Sequence, residues 1–229
     1  MSQNVAAIEV SSLKKVYGKG ESAFIALQDI SFAINRGESL AIMGKSGSGK
    51  STLMHLLALL DSPTEGDIAI DGTKSASLTG KKRDQLRNTS FGFVFQQFFL
   101  NGNSSVLENV ILPLKIAGIG SAERNRRGME VLKAVELDDK ATNKAVDLSG
   151  GQKQRVVIAR ALVNDPEIIF ADEPTGNLDS TTGGKIEDLL FELNKKRGIT
   201  LVIVTHDEDL AKRCSRVIEV KDGRIIKGA

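Results

Sequence analysis

The chain has a single cysteine, Cys214, among its 229 residues. That excludes an internal disulfide and leads us to expect a reducing compartment. Long apolar runs are missing too: stretches such as Leu56–Leu60 and Leu201–Val204 fall far short of the roughly 20 residues that span a bilayer. The segment Met1–Glu9 has no basic part followed by an apolar one, so no secretory leader is expected. Nor does charge of one sign dominate. Lys and Arg number 31 and Asp and Glu 29, a formal +2, which argues against binding a polyanion by bulk charge; no nucleic-acid partner is expected. The basic clusters Lys81–Arg83, Arg124–Arg127 and Lys195–Arg197 read as solvated helix faces or ends. What is present, 41% hydrophobic and 26% charged residues, is ordinary globular usage in a chain long enough to bury a substantial core. A soluble, cytoplasmic protein is expected.

No low-complexity linker or repeat divides the chain, so residues 1–229 read as one domain. Ile8 and Val10 alternate, as do Ile30, Phe32 and Ile34, so the first forty residues read as strands. Ser39–Met43 reads as a short buried strand, Lys50–Leu60 as a helix, and Ile68 with Ile70 as a strand closed by Asp71–Gly72. Phe91–Phe95 alternates as a strand, with Phe91, Phe93 and Phe95 expected in the core. From Val106 to Asn164 the pattern is helical, and Ser121 is a candidate N-cap. Strands and helices then alternate: Ile168–Ala171, Ile186–Leu193, Ile199–Thr205, Asp207–Arg213, and a hairpin of Arg216–Val220 with Arg224–Lys227 around Asp222–Gly223. The alternation predicts an α/β fold with a mostly parallel sheet. The helical middle is too long for one crossover and reads as an inserted subdomain.

Gly44 and Gly49 frame four residues, Lys45, Ser46, Gly47 and Ser48, and are followed by Lys50 and Ser51. This is G-x-x-x-x-G-K-[ST] between a strand and a helix. Glycines let backbone N–H groups turn inward at the positive end of a helix dipole. Lys50 brings charge to the β/γ-phosphates, and the Ser51 hydroxyl can ligate Mg²⁺, which takes few protein ligands. With Thr52 in the first helical turn, these residues form a predicted nucleoside triphosphate site.

Two further features narrow the class. The apolar strand ending at Asp172 and Glu173 presents two acids on opposite faces, so they cannot share one role. Asp172 is placed to hold the Mg²⁺ environment, and Glu173, held out of helix by Pro174, to polarise an attacking water. Leu148, Ser149, Gly150, Gly151 and Gln152 then open an apolar helix, so Ser149 and the two glycines make a second anion-binding terminus. It has no lysine of the phosphate-loop type.

On these residues the chain resembles the ATP-binding-cassette (ABC) transporter ATPases along essentially its full length, and Leu148–Gln152 matches that family's signature motif residue for residue. The resemblance implies a P-loop fold: a RecA-like, mostly parallel core (about 1–95 and 164–229) with an N-terminal antiparallel β subdomain, and an inserted α-helical subdomain (96–163) carrying the signature. It implies that Tyr17 stacks on adenine, and that Gln96, directly after its strand, senses Mg²⁺ and the attacking water. Asn177–Asp179 would then contact a second cassette, and His206 would sit at the γ-phosphate. ATP and Mg²⁺ are the implied cofactors. The implied catalytic set is Glu173, His206, Gln96 and Lys50, with Ser51, Gln96 and Asp172 around the metal. A second copy would close Ser149 and Gly151 over ATP held by Lys50, and a separate membrane permease would hold the assembly to the cytoplasmic face of the membrane. Asp172–Ser180, Phe91–Gln96 and Leu107–Pro113 are similar to the subgroup serving lipoprotein release, macrolide export and related peptide or division-linked machines. Export or release of lipoprotein, peptide or drug-like cargo is therefore expected; the alternative is an ATPase driving a signalling membrane complex.

Other P-loop classes fit less well. A GTPase would show Asn-Lys-x-Asp, and the candidates at Asn143 and Asn194 both fail at the fourth place. A chromosome-maintenance ATPase needs a long coiled-coil insertion, and Gln96–Leu148 is too short and lacks heptads. A translation-linked protein of this family would carry two cassettes in tandem. Phe98 and Phe99 lie past the strand, where a groove for a partner helix is expected.

Overall fold

The computed structural model describes residues 6–229; the leader prediction rests partly on residues 1–5, which lie outside them. In chain order the elements are β1 (Ala6–Tyr17), β2 (Phe24–Asn35), β3 (Ser39–Met43), α1 (Lys50–Leu57), β4 (Glu65–Ile70), β5 (Thr73–Lys74), α2 (Gly80–Ser90), β6 (Phe91–Phe95), α3 (Val106–Val110), α4 (Leu112–Ile116), α5 (Ser121–Ala134), α6 (Gly150–Leu162), β7 (Ile168–Asp172), α7 (Ser180–Arg197), β8 (Thr200–Val204), α8 (Glu208–Lys212), β9 (Arg216–Lys221) and β10 (Arg224–Lys227). The fold is α/β, with an antiparallel N-terminal sheet beside parallel strands. Packing divides the chain into one unit running to Arg83 and resuming at Gly198, and a second spanning Asp84–Arg197.

In the first unit β3 pairs in parallel with β8 (Ser39 opposite Leu201, Ile42 opposite Val204) and with β9 (Leu40 opposite Arg216). Leu40, Ala41 and Ile42 are fully buried, and every residue of β8 is buried. Continuous apolar strands are what a parallel sheet covered on both faces requires. The antiparallel sheet has the order β2-β1-β4-β5. Its buried face pairs Ile8 with Ile34 and Ile70, and Val10 with Phe32 and Ile68. The β9–β10 turn has positive φ at both Asp222 (47°) and Gly223 (73°), the combination that a two-residue hairpin loop needs to match strand twist.

In the second unit β6 and β7 pair in parallel, Phe91 opposite Ile168 and Phe95 opposite Asp172. Helix α6 lies against β6 so closely that a Cβ on Gly92 would stand 2.7 Å from the Ala161 carbonyl oxygen; only glycine leaves room for that approach. Its middle turn, Val156–Ala159, is fully buried.

Several elements differ from the sequence prediction. Helix α1 stops at Leu57, because Leu59 takes φ 55° and the Leu60 N–H returns to the His55 carbonyl at 2.8 Å. The helical middle is broken into α3–α6 by Gly118 (φ 74°) and by 3₁₀ turns over Asp138–Lys140 and Ala145–Asp147. Ser121 is the first helical residue of α5 rather than its cap, since Gly120 is the extended residue before it. Helix α2 gives no apolar signal because it buries no residue. Phe91 is buried, whereas Phe93 and Phe95 are only half-buried.

Burial, opposed by neighbouring Arg213, pushes the Cys214 thiol up to about 12. The thiolate is the reactive form. A thiol-reactive dye at pH 8 should therefore label the folded chain at least about a hundredfold more slowly than the urea-unfolded chain, in a stopped-flow comparison.

Candidate functional site

The first unit builds the phosphate loop. Positive φ values at Gly44 (153°), Gly47 (78°) and Gly49 (106°) turn the backbone between β3 and α1. No side chain caps α1 at Gly49, and its first backbone bond runs from the Leu53 N–H to the Gly49 carbonyl at 2.8 Å. The N–H groups of Lys50, Ser51 and Thr52 are thus the donors a helix start leaves for an anion. The Lys50 ammonium folds into the loop, donating to the Gly44 carbonyl at 2.7 Å and the Lys45 carbonyl at 3.1 Å. Inside the loop the buried Ser48 hydroxyl finds no partner among the described residues. Three turned glycines, an uncapped helix start, an inturned ammonium and an orphaned hydroxyl fit a polyphosphate. The exposed Ser51 side chain at the same helix start suits a Mg²⁺ ion carried by it.

Sequence reasoning missed what supports this loop. The Gly223 N–H of the β9–β10 turn donates to the Ser48 carbonyl at 3.0 Å, and a Cβ on Gly44 would fall 2.2 Å from the Val220 carbonyl oxygen. Asp-Gly is legible as a turn, but nothing local says that the turn props the phosphate loop. His206 follows β8, whose next residue, Thr205, donates its N–H to the Ile42 carbonyl at 3.2 Å. The Thr205 hydroxyl accepts from the Asp207 N–H at 3.0 Å. Because β3 and β8 are neighbours, His206 lines one cavity of about 540 Å³ with Gly44 and Lys45 of the loop, together with Glu208 and Lys212. Tyr17, at the end of β1, is 40% exposed.

The second unit gathers the other set. Because Phe95 pairs with Asp172, Gln96 and Glu173 emerge side by side from the ends of parallel strands, the place where ligands meet open α/β sheets. Glu173 has φ 46°, a conformation that costs energy for a non-glycine residue and collects at functional sites. The turn after it closes through Gly176 N–H to the Glu173 carbonyl at 3.1 Å. The buried Gln154 amide pins it further, donating to the Pro174 carbonyl at 2.7 Å. Asn177 donates to the Gln96 carbonyl at 2.7 Å. A Cβ on Gly176 would stand 2.8 Å from the Gln96 amide nitrogen, so that glycine makes space for the side chain.

Ser149 and Gln152 form a capping box at the start of α6. The Ser149 hydroxyl accepts from the Gln152 N–H at 3.3 Å, and the Gln152 carboxamide accepts from the Ser149 N–H at 3.0 Å. Ser149 and Gly150 are exposed, and Leu178 and Thr182 lie against Gly150 and Gly151. The Asp179 carboxylate accepts from the Thr182 N–H at 3.0 Å, and that bond, foremost among several, holds its carboxyl below the usual range. The Asn177–Asp179 loop therefore touches both Gln96 and the signature turn.

The sequence and fold were compared with known proteins. The family model described as ABC transporter matches residues 27–176. An uncharacterised ABC transporter ATP-binding protein of Methanocaldococcus jannaschii, MJ1508, is 46% identical over 220 residues, covering 96% of this chain and 98% of that protein. Among solved structures, the ATP-binding cassette MJ0796, a dimer in a post-hydrolysis state bound to ADP and Pi, superposes with TM-score 0.88 at 44% identity over 97% of both chains. CbiO1 of Clostridium perfringens, part of the ABC transporter complex CbiONQ, matches with TM-score 0.86 at 33% identity, over 97% of this chain and 87% of that one. The chain belongs to the ABC transporter family. It is that family's ATP-binding, ATP-hydrolysing cassette.

Proposed function

We propose that this cassette is the motor of a transport complex, in which two copies close head to tail on ATP and move a separate membrane permease. In this reading Lys50 and the Gly44–Thr52 loop hold the phosphates, and Ser51, Gln96 and Asp172 surround Mg²⁺, which neutralises phosphate charge when bound. Glu173 accepts a proton from the attacking water. His206 and Gln96 register loss of the γ-phosphate, and Tyr17 carries the base. Ser149, Gly150, Gly151 and Gln152 close the site of the opposite copy, supplying phosphate ligands where the signature turn has no lysine of its own. The dimeric state of MJ0796 supports this arrangement, as does the exposure of Ser149 at a capped helix start. The resemblance of Asp172–Ser180 and Leu107–Pro113 to lipoprotein-release and macrolide-export cassettes makes lipoprotein, peptide or drug-like cargo the favoured load.

The observation that carries the permease is an apolar groove of about 600 Å³ in the second unit, lined by Phe91, Phe93, Phe95, Phe99, Leu112 and Ile116 among others. Phe99 is 65% exposed at φ 46°. The Arg160 guanidinium holds its backbone in place, donating to the Phe99 carbonyl at 2.7 Å and the Phe98 carbonyl at 3.0 Å. Aromatic side chains held out of the core in this way anchor partner helices. No helix among the described residues is long and apolar enough to cross a membrane. Phe99→Ala should weaken capture of the membrane subunit from detergent-solubilised membranes by about 2 kcal/mol, roughly 30-fold, while ATP binding is kept. Undiminished capture would remove the groove from the interface.

A further inference from the structure

Tyr17 does not stand alone at the end of β1. Its hydroxyl donates to the Asp61 carboxylate at 2.9 Å. The other oxygen of that carboxylate accepts from the Lys15 ammonium at 2.8 Å, which also donates to the Ser62 carbonyl at 2.8 Å. Lys15 is only 9% exposed, and its nitrogen lies 4.8 Å from the centre of the Tyr17 ring, a cation–π distance. The buried ammonium thus covers one face of the ring of a residue that remains 40% exposed.

Asp61 is itself anchored. Its N–H and that of Leu60 both return to the His55 carbonyl, at 3.3 and 2.8 Å, which ties its backbone to the end of α1, and its carboxylate also accepts from the Ser62 N–H at 2.7 Å. The same helix carries Lys50 at its start. Its eight residues span about 12 Å, and they tie the phenol to the phosphate loop through one rigid element.

We propose that Asp61 and Lys15 are positioning residues, holding the Tyr17 ring as a pre-set, one-sided platform for the nucleotide base at a fixed distance from the phosphate loop. The proposal rests on Tyr17 being the base platform. A side chain already held in its bound rotamer loses little freedom when ligand arrives, which raises affinity without a new contact. The gain belongs only to ligands that carry a base. Burial raises the Asp61 carboxyl, but Lys15, the Ser62 N–H and the Tyr17 hydroxyl outweigh it and hold the group below its ordinary range. It is therefore an ionised acceptor for the phenol.

The test titrates the full chain calorimetrically with ATP and with inorganic tripolyphosphate, for wild type, Asp61→Asn, Tyr17→Phe, their combination and Tyr17→Ala. Tyr17→Phe keeps the ring and leaves Asp61 paired with Lys15, so it probes the link without risk to the fold. Asp61→Asn and Tyr17→Phe should each weaken ATP about three- to tenfold and leave tripolyphosphate unchanged. The combination should be no worse than either alone. With one tyrosine and no tryptophan in the chain, ultraviolet absorbance titrates the Tyr17 phenol by itself. Burial first and the Asp61 hydrogen bond second push that phenol up, so Asp61→Asn should bring its titration down. Wild-type ATP affinity in Asp61→Asn and Tyr17→Phe, alongside weak ATP binding in Tyr17→Ala, overturns the positioning role alone. Equal losses for ATP and tripolyphosphate also overturn it. Wild-type ATP affinity in Tyr17→Ala overturns the platform reading, and the positioning role with it.

Discussion

Glu173→Gln should lower ATP turnover about 10²- to 10⁴-fold, the range that a positioned general base contributes. ATP binding should survive, because the amide keeps the shape of the side chain and the Gly44–Thr52 loop proposed to hold the phosphates is untouched. The variant should accumulate as an ATP-held dimer, detectable as a shift in light-scattering mass that reverses when ATP is removed. The structural basis is the placement of Glu173 one residue past β7, next to Gln96, on a turn closed by Gly176 and pinned by Gln154. The left-handed backbone at Glu173 is strain that the closed turn maintains. A carboxylate aimed by such a turn should lose its chemistry on amidation, with little loss of folding. A monomeric variant turning over at the wild-type rate would exclude the assignment.

Lys50→Met should act at an earlier step. The ammonium is held inside the loop by the Gly44 and Lys45 carbonyls, at 2.7 and 3.1 Å, and is half-buried. Removing one partner of a desolvated charge pair costs about 2–5 kcal/mol, or roughly 30- to 5,000-fold in ATP affinity. Methionine retains the length and apolar stem of lysine, so thermal stability without nucleotide should change little. The stabilisation that ATP confers on wild type, visible as a rise in Tm, should be absent at ligand concentrations that saturate wild type. Loss of turnover with unchanged ATP affinity would instead assign Lys50 to the chemical step alone.

The chemistry that was legible in the sequence is chemistry encoded over a few consecutive residues. The Gly44–Ser51 spacing can be read because glycine permits the turned backbone, and the helix start follows at once. The Ser149–Gln152 box can be read because a cap is a bond between residues three apart. Strands β3 and β8 announce themselves because burial on both faces leaves an unbroken apolar run, Leu40–Ile42 and Leu201–Val204, after a single buried hydroxyl residue in each. Helix α2 was silent for the opposite reason: with no buried residue it has no apolar period to show. Phe93 and Phe95 follow the alternation of a core strand, yet they border a groove. Alternation reports which face a side chain shares and says nothing of what covers that face.

By itself the sequence determined that the protein holds a nucleoside triphosphate, and it marked the Gly44–Ser51 loop, the Asp172–Glu173 pair and the Ser149 helix start as the expected site. Tertiary structure alone decided how those residues are held. The Asp222–Gly223 turn supports a loop whose nearest part lies far back in the chain, Asn177 reaches Gln96 across 81 positions, and Asp61 reaches Tyr17 across 44. Motifs survive in sequence because backbone conformation and capping are short-range. Aim and spacing do not, because they depend on contacts that form only when distant strands come into register.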